Sequence, residues 1–365
     1  MTAKLPIEDV LPALKAKLAT HRAAVLEAPP GAGKTTLVPL ALRNEPWVKG
    51  RKILMLEPRR IAARAARIPF VTTYHGAYNE KSAWKRRYNA VMASGDLVIA
   101  NSAWTARLVR ERYATPDARL VVVPRGVDVA RFEPSAIAPG RLAALRASWR
   151  LSDTDRVILH PARLTAWKGQ PPVIAAAAEL AASGRLGDGL VILAGDDQGR
   201  TEYRQRLEAD IRAAGLGDRV RLVGHCADMP AAFAVAHVAL VASVEPEAFG
   251  RTATEAEAAG CPVIATAIGA PPETVLAPPA VPASESTGWL VPPADPAALA
   301  DALATALALS PADRSAIGAR ATAHVARAFT LDAMQARTLA VYDRLLSTRL
   351  EAAFASAGGG KDSAR

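Results

Sequence analysis

Two carboxylates, Glu247 and Glu255, stand eight residues apart in the stretch Pro246-Glu-Ala-Phe-Gly-Arg-Thr-Ala-Thr-Glu255. On an ideal helix that spacing leaves them about 80° out of register. They reach one ligand only if Glu247 lies in the Gly-containing loop and Glu255 inside the helix that follows. From there Glu255 can accept both hydroxyls of a ribose and Glu247 a sugar hydroxyl, while the amides of Ala248, Phe249 and Gly250 face a diphosphate. That combination suits a nucleotide sugar. Upstream, Arg163 and Lys168 follow the apolar run 157–160 and precede a helix announced by Pro171 and Pro172. Two cations at such a strand end can neutralise charge growing on a departing diphosphate without a metal ion. Asp153 and Asp155 have the Asp-x-Asp spacing of a Mn²⁺ site, but they come just before the same run, at the end of the sheet away from the ligand crevice. They read as a polar turn, and no metal site is expected.

A second phosphate signal lies near the start of the chain. Ala28-Pro-Pro-Gly-Ala-Gly-Lys-Thr35 follows the apolar run 23–26 and precedes a helical segment, the context a phosphate loop needs. Gly31 and Gly33 would let backbone amides turn into one concavity, with Lys34 and Thr35 serving a terminal phosphate and Mg²⁺. ATP-driven work would further need an Asp-Glu pair, and no Asp-Glu dipeptide occurs in the sequence.

These residues need a frame, and the pattern of apolar runs supplies one. Runs at 52–56, 70–73, 97–100, 120–123, 157–160, 190–193, 220–223, 238–241 and 262–265 alternate with longer Ala/Arg/Glu segments, the βαβα signature of a parallel sheet. None alternates cleanly, as expected of strands covered on both faces. The polar, Pro-containing stretch 132–140 reads as a linker, placing a domain boundary near 140. A second Pro-rich region from 277 to 293 leads into Ala/Leu-rich helices, and the tail from Ala353 is too poor in apolar residues to order itself. Residues 1–150 carry 26 Lys+Arg against 11 Asp+Glu and the remainder 19 against 24. The basic half therefore faces an anion: phosphate, lipid head groups or nucleic acid. Two cysteines without a metal spacing fit a reducing compartment. No apolar leader or spanning run is evident, so a cytoplasmic protein is expected.

The stretch 246–264 resembles the Glu-x7-Glu motif of retaining GT-B glycosyltransferases of family four. The resemblance extends over roughly residues 68–345. Leu159-His-Pro-Ala-Arg-Leu-Thr-Ala-Trp-Lys-Gly169 is similar to the family's Arg…Lys-Gly element, and 193–196, 223–225 and 242–245 fall at its strand ends. Gly288-Trp-Leu-Val291 and 295–301 match its closing pattern. The resemblance implies an α/β fold of two Rossmann-like domains and an enzyme transferring a glycosyl group with retention from a nucleotide sugar to a saccharide or lipid-linked acceptor. It implies that Arg163 and Lys168 hold the donor pyrophosphate. His75, in Pro69-Phe-Val-Thr-Thr-Tyr-His-Gly76, would position the transferred sugar, unless it merely satisfies a loop carbonyl. The base is expected against main chain near Gly224 and His225, and Gly126 to supply a tight turn before the linker. No cofactor is implied.

Residues 1–67, with Leu56-Glu-Pro-Arg-Arg60 and 62–64, resemble the opening of DEAH-box ATP-dependent helicases of the HrpB type. The resulting expectation is a hybrid chain. Residues 1–67 form a helicase-like P-loop segment, 68–140 the rest of the acceptor-side domain and linker, 141–330 the donor domain, 331–352 a C-terminal helix and 353–365 a tail. The replaced N-terminus implies a shortened first sheet and impaired activity. The rival reading is a P-loop nucleotide-binding protein using ATP and Mg²⁺. Residues 81–88, basic with interleaved aromatics, read either as a peripheral contact with anionic lipid at the inner membrane face or a phosphorylated acceptor, or as a solvated helix face. Nucleic acid is not expected as a partner.

Overall fold

Alternate residues of a strand point to opposite faces of its sheet, and the strand Arg156–Pro161 shows why its run is apolar throughout. Val157 and Leu159 enter one core with Phe233, Ala253 and Ala256, while Ile158 enters the other with Val173, Ala177 and Leu303. Both faces are covered by helices, so both favour apolar residues, and the one buried polar side chain of the strand, His160 at its end, is hydrogen-bonded to the Leu240 carbonyl. The computed structural model describes residues 6–21, 38, 40–48, 69–78, 80 and 82–358.

Among the described residues, the N-terminal lobe has a parallel sheet of three strands in sequential order, β1 (Val71–Tyr74), β2 (Leu97–Ala100) and β3 (Leu120–Val122). The C-terminal lobe has six: β4 (Arg156–Pro161), β5 (Gly189–Ala194), β6 (Val220–Gly224), β7 (Ala236–Val241), β8 (Val263–Thr266) and β9 (Gly288–Val291). They are parallel, in the order β6-β5-β4-β7-β8-β9. The chain steps outward from β4 to β6, then restarts on the other flank of β4 with β7. This reversal is the topological switch point of a doubly wound sheet, where the loops after two neighbouring strands diverge and leave a crevice. β9 is an edge strand that the apolar runs do not include; its half-exposed Trp289 and Leu290 blur the pattern.

The boundary stretch 132–140 is more ordered than a linker. It carries the end of the helix Val129–Phe132, a short 3-10 turn Pro134–Ala136 and the start of the helix Pro139–Ser148. The chain crosses between lobes a second time near Thr330. There the Val127 amide donates to the Phe329 carbonyl at 2.8 Å and the Leu331 amide to the Val127 carbonyl at 3.0 Å. Gly126 is needed for this crossing rather than for a left-handed turn, since a Cβ there would sit 2.6 Å from the Leu331 Cα. The helix Leu331–Leu346 then packs on the N-terminal sheet, with Val341 against Val71, Leu97, Ile99 and Val123.

The tail departs from expectation as well. Ala353 lies within a helix, Leu350–Ser356. Its first amides are held by the Asp343 carboxylate, which accepts from Leu350 at 2.8 Å and Glu351 at 3.0 Å. This cap supplies what the apolar-poor sequence lacks. Among the described residues no helix is long and apolar enough to cross a membrane.

Candidate active site in the cleft between the lobes

The cationic loop is built from the end of β4. The Ala162 amide donates to the Ala194 carbonyl and the Leu164 amide to the Asp196 carbonyl, both at 3.0 Å, tying residues 162–164 to the end of β5. Leu164 is buried, which pins the loop, and the exposed Arg163 beside it makes no side-chain hydrogen bond or ion pair among the described residues. The Arg163 carbonyl accepts from the fully buried Gln170 side chain at 2.9 Å, and Gln170 accepts in turn from the Tyr203 hydroxyl at 3.1 Å. A 3-10 turn, Ala166–Lys168, follows, and the helix Gln170–Ala182 starts with prolines in its first turn, as their fixed φ favours.

Lys168 does not point at an empty phosphate site. Its ammonium lies 2.5 Å from Glu247 Oε1 and 4.2 Å from the centroid of the Trp167 ring. The Ser243 hydroxyl donates to the same Oε1 at 2.5 Å. Both contacts use one oxygen, leaving Oε2 uncommitted among the described residues. The loops after β4 and β7 are joined below by the Val244 amide donating to the Trp167 carbonyl at 2.8 Å. Lys168 and Glu247 therefore meet at the switch point because neighbouring parallel strands end there.

Glu247 stands in the loop and Glu255 inside the helix Arg251–Ala258, the arrangement their spacing requires. Glu255 pairs with Arg251, one turn earlier, at 2.6 Å. Without a ligand, then, both acids are held by cations of the same site. Phe249 adds main chain only; its ring is buried against Phe329, with centroids 5.7 Å apart.

Between the lobes lies a cleft of about 890 Å³ that brings together His75, Arg163, Lys168, Glu247, Ala248, Phe249 and Gly250. Arg125, Asn101 and Tyr78 join them from the N-terminal lobe. A cavity of about 390 Å³ adjoins it, lined by Glu255, His225 and Cys226 and sharing Arg163 and Thr252 with the cleft. Arg163 thus stands between the cleft and this cavity. Gly224, at the end of β6, lies outside both linings. His75 is exposed at the end of β1, its Nδ1 3.3 Å from the Thr73 carbonyl and its Nε2 3.2 Å from the Tyr78 hydroxyl. It therefore contacts a carbonyl of its own strand β1 and faces the cleft as well.

Contacts across the cleft fix the donor loop, and the motifs did not foretell them. The Ser102 and Thr105 hydroxyls donate to the Ala248 carbonyl at 2.7 and 3.1 Å. The Glu273 carboxylate accepts from the Ala103 and Trp104 amides at 2.7 and 2.5 Å, capping the helix Ala103–Tyr113 from the other lobe. A Ser followed three residues later by Thr is a common helix start, so its second partner had no local signal.

His160 lies buried at the end of β4, Nδ1 3.2 Å from the Leu240 carbonyl. Burial, with the Lys168 charge adding to it, pushes the imidazole down to about 4. Between about pH 6.5 and 4 the unfolded chain binds a proton that the folded chain refuses. Stability is therefore present above that window and lost as the pH falls through it. Burial lowers His237 and His324 too, so the thermal midpoint is expected to fall across this window, less steeply in His160→Gln than in the parent.

Two families match the chain, one on each lobe. Residues 143–324 match Glycosyl transferases group 1 and residues 55–131 match Glycosyltransferase Family 4. The chain carries the two domains of a GT-B glycosyltransferase. A glycosyltransferase structure from Rickettsia africae superposes with a TM-score of 0.75 at 26% identity, over 89% of this chain and 84% of that one. A complex of Anabaena HepE with UDP-glucose gives 0.66 at 26%, over 79% and 75%. D-inositol 3-phosphate glycosyltransferase of Kineococcus radiotolerans is 36% identical over 267 residues, 71% of this chain and 59% of that protein. The chain thus spans less than two thirds of the length of this curated relative.

The glycosyltransferase match on the N-terminal lobe takes in residues 55–67, a stretch that the helicase resemblance had claimed. Gly31, Gly33, Lys34 and Thr35 lie outside the described residues. In this GT-B frame Asp153 and Asp155 fall in the turn before β4, where Asp155 accepts from the Ser152 amide at 2.7 Å.

Proposed function

We propose that this chain transfers a glycosyl group, with retention, from a nucleotide diphosphate sugar to a saccharide or lipid-linked acceptor. One observation carries the reading: Arg163, Lys168, Glu247 and residues 248–250 line one cleft at the switch point, with Glu255 in the adjoining cavity. Arg163 and Lys168 supply the charge that a leaving diphosphate needs, and Glu247 Oε2 is available to a sugar hydroxyl. Glu255 holds the ribose by exchanging Arg251 for its hydroxyls. Fixed on the Ala248 carbonyl side by Ser102 and Thr105, the following peptide is preorganised toward the diphosphate. His75 orients the transferred sugar from the facing lobe.

A ligand that binds only the folded state raises the melting point, by about 2.7 kcal/mol of stability at a hundredfold excess over Kd. Titration with UDP or GDP is expected to raise the thermal midpoint of the parent and of Lys34→Ala but not of Glu255→Ala. A shift with ATP and Mg²⁺ that disappears only in Lys34→Ala would instead support the P-loop reading, in which the helicase-like N-terminus is the working part.

The same reading gives the basic lobe a partner. On the helix Ala83–Asn89, Trp84 is 82% and Tyr88 74% exposed, one turn apart and beside the exposed Lys85 and Arg87. Aromatics with flanking cations suit an anionic bilayer surface. The protein is expected to sediment with vesicles containing phosphatidylglycerol and not with purely zwitterionic ones, and Trp84→Ala/Tyr88→Ala to lose most of that binding.

A further inference from the structure

A second cavity, of about 480 Å³, lies between the three-stranded sheet and the C-terminal helix Leu331–Leu346. Val71, Met92, Ile99, Val123, Met334 and Tyr342 give it an apolar wall. His75, Asn101 and Arg125 line both this cavity and the cleft, so the two spaces adjoin along that edge. Nothing in the donor chemistry accounts for it, since Arg163, Lys168 and both acids stand on the other lobe.

Arg125 marks what belongs there. It follows β3 directly, half-buried, and among the described residues its guanidinium has no hydrogen bond and no carboxylate partner. Its charge acts on the phenol of Tyr78. Nearby arginines of this lobe do have acceptors: Arg110 holds Asp117, Arg86 the Arg112 carbonyl and Arg112 the Tyr78 carbonyl. A half-buried guanidinium with no acceptor among the described residues, bordering both spaces, is available to an anion from outside. An apolar wall beyond it calls for hydrocarbon.

We propose that the acceptor is an anionic amphiphile, its charged group held by Arg125 at the shared edge and its apolar body in the cavity beneath the C-terminal helix. This rests on the glycosyl-transfer reading and names the acceptor class for it. The apolar body anchors the molecule, and the hydroxyl to be glycosylated projects into the cleft near His75.

Octyl phosphate below its micellar concentration, octyl glucoside and inorganic phosphate serve as probes, with binding followed by calorimetry in the parent, Arg125→Gln and Thr338→Phe. Thr338 lines the cavity, and its hydroxyl donates only within its own helix, to the Met334 carbonyl at 2.7 Å. Octyl phosphate is expected to bind the parent more tightly than either other probe. Arg125→Gln should weaken it by about tenfold or more, the loss of a charge-assisted contact. Thr338→Phe should weaken octyl phosphate and leave inorganic phosphate unchanged. No binding of octyl phosphate to the parent, equal binding of octyl glucoside, or indifference to either substitution would overturn the proposal. UDP is titrated into each sample. If UDP or GDP still binds while the octyl phosphate pattern fails, only the acceptor assignment falls; if neither UDP nor GDP, titrated likewise, binds the parent, the glycosyl-transfer reading falls by itself.

Discussion

Replacing Lys168 with alanine is expected to lower release of nucleoside diphosphate from its sugar donor by about 10²–10³-fold, the usual cost of removing one preorganised donor from developing charge. Stability should fall too. The Lys168 and Glu247 side chains are only 15% and 11% exposed, and removing the cation strands a carboxylate in a poorly solvated position. For a fully buried pair the cost is about 3–5 kcal/mol. Here the pair borders the cleft and Ser243 still donates to Glu247, so about 1–3 kcal/mol is expected from urea unfolding. The two losses separate in a double variant. Lys168→Met with Glu247→Gln removes both charges and should recover most of the stability, while transfer stays low. If Lys168→Ala turned over donor at the parental rate, the cationic loop would have no part in the chemistry.

Gly169→Ala is expected to be the most damaging single methyl group near the site. Gly169 ends the Lys168 turn with φ +79°, and a Cβ there would lie 1.8 Å from the Ala242 carbonyl oxygen. Two costs combine, a left-handed alanine and a clash with backbone that cannot rotate away. Strained dihedrals cost about 1–3 kcal/mol and overpacking a similar amount, so about 2–6 kcal/mol is expected. Relief requires the β4 loop to move off the end of β7, which would also part Lys168 from Glu247. A folded Gly169→Ala protein should therefore have lost its UDP-induced thermal shift. Unfolding midpoints within error of the parent would show that the two strand ends do not approach as closely as described.

Much of the donor lobe was legible from local chemistry. β4, β5 and β7 are covered on both faces and so appear as unbroken Val/Ile/Leu runs, while β9, at the edge with Trp289 and Leu290 half-exposed, does not. The prolines at 171 and 172 announced the helix behind Lys168, and the eight-residue interval put Glu247 before a helix and Glu255 within it. The partners of these residues were not legible. Both acids were expected to meet a ligand, and each meets a cation, Glu247 with Lys168 and Glu255 with Arg251. Ser102 caps its own helix, and its bond to Ala248, 146 residues away, followed no motif.

By itself, the amino-acid sequence determined most of the strand-and-helix order from residue 70 on, the doubly wound character of the C-terminal lobe, and the types and spacing of the charged residues that meet in the cleft. All of these depend on neighbours within a few turns of chain. Tertiary structure decided where the lobes meet: Gly126 against Leu331, Glu273 capping a helix of the other lobe, and Arg125 at the edge shared by cleft and cavity. Such contacts depend on how two sheets are turned toward each other by the crossings at Val127 and Thr330. That orientation sums many weak packing preferences over the whole chain, and no short stretch of residues encodes it.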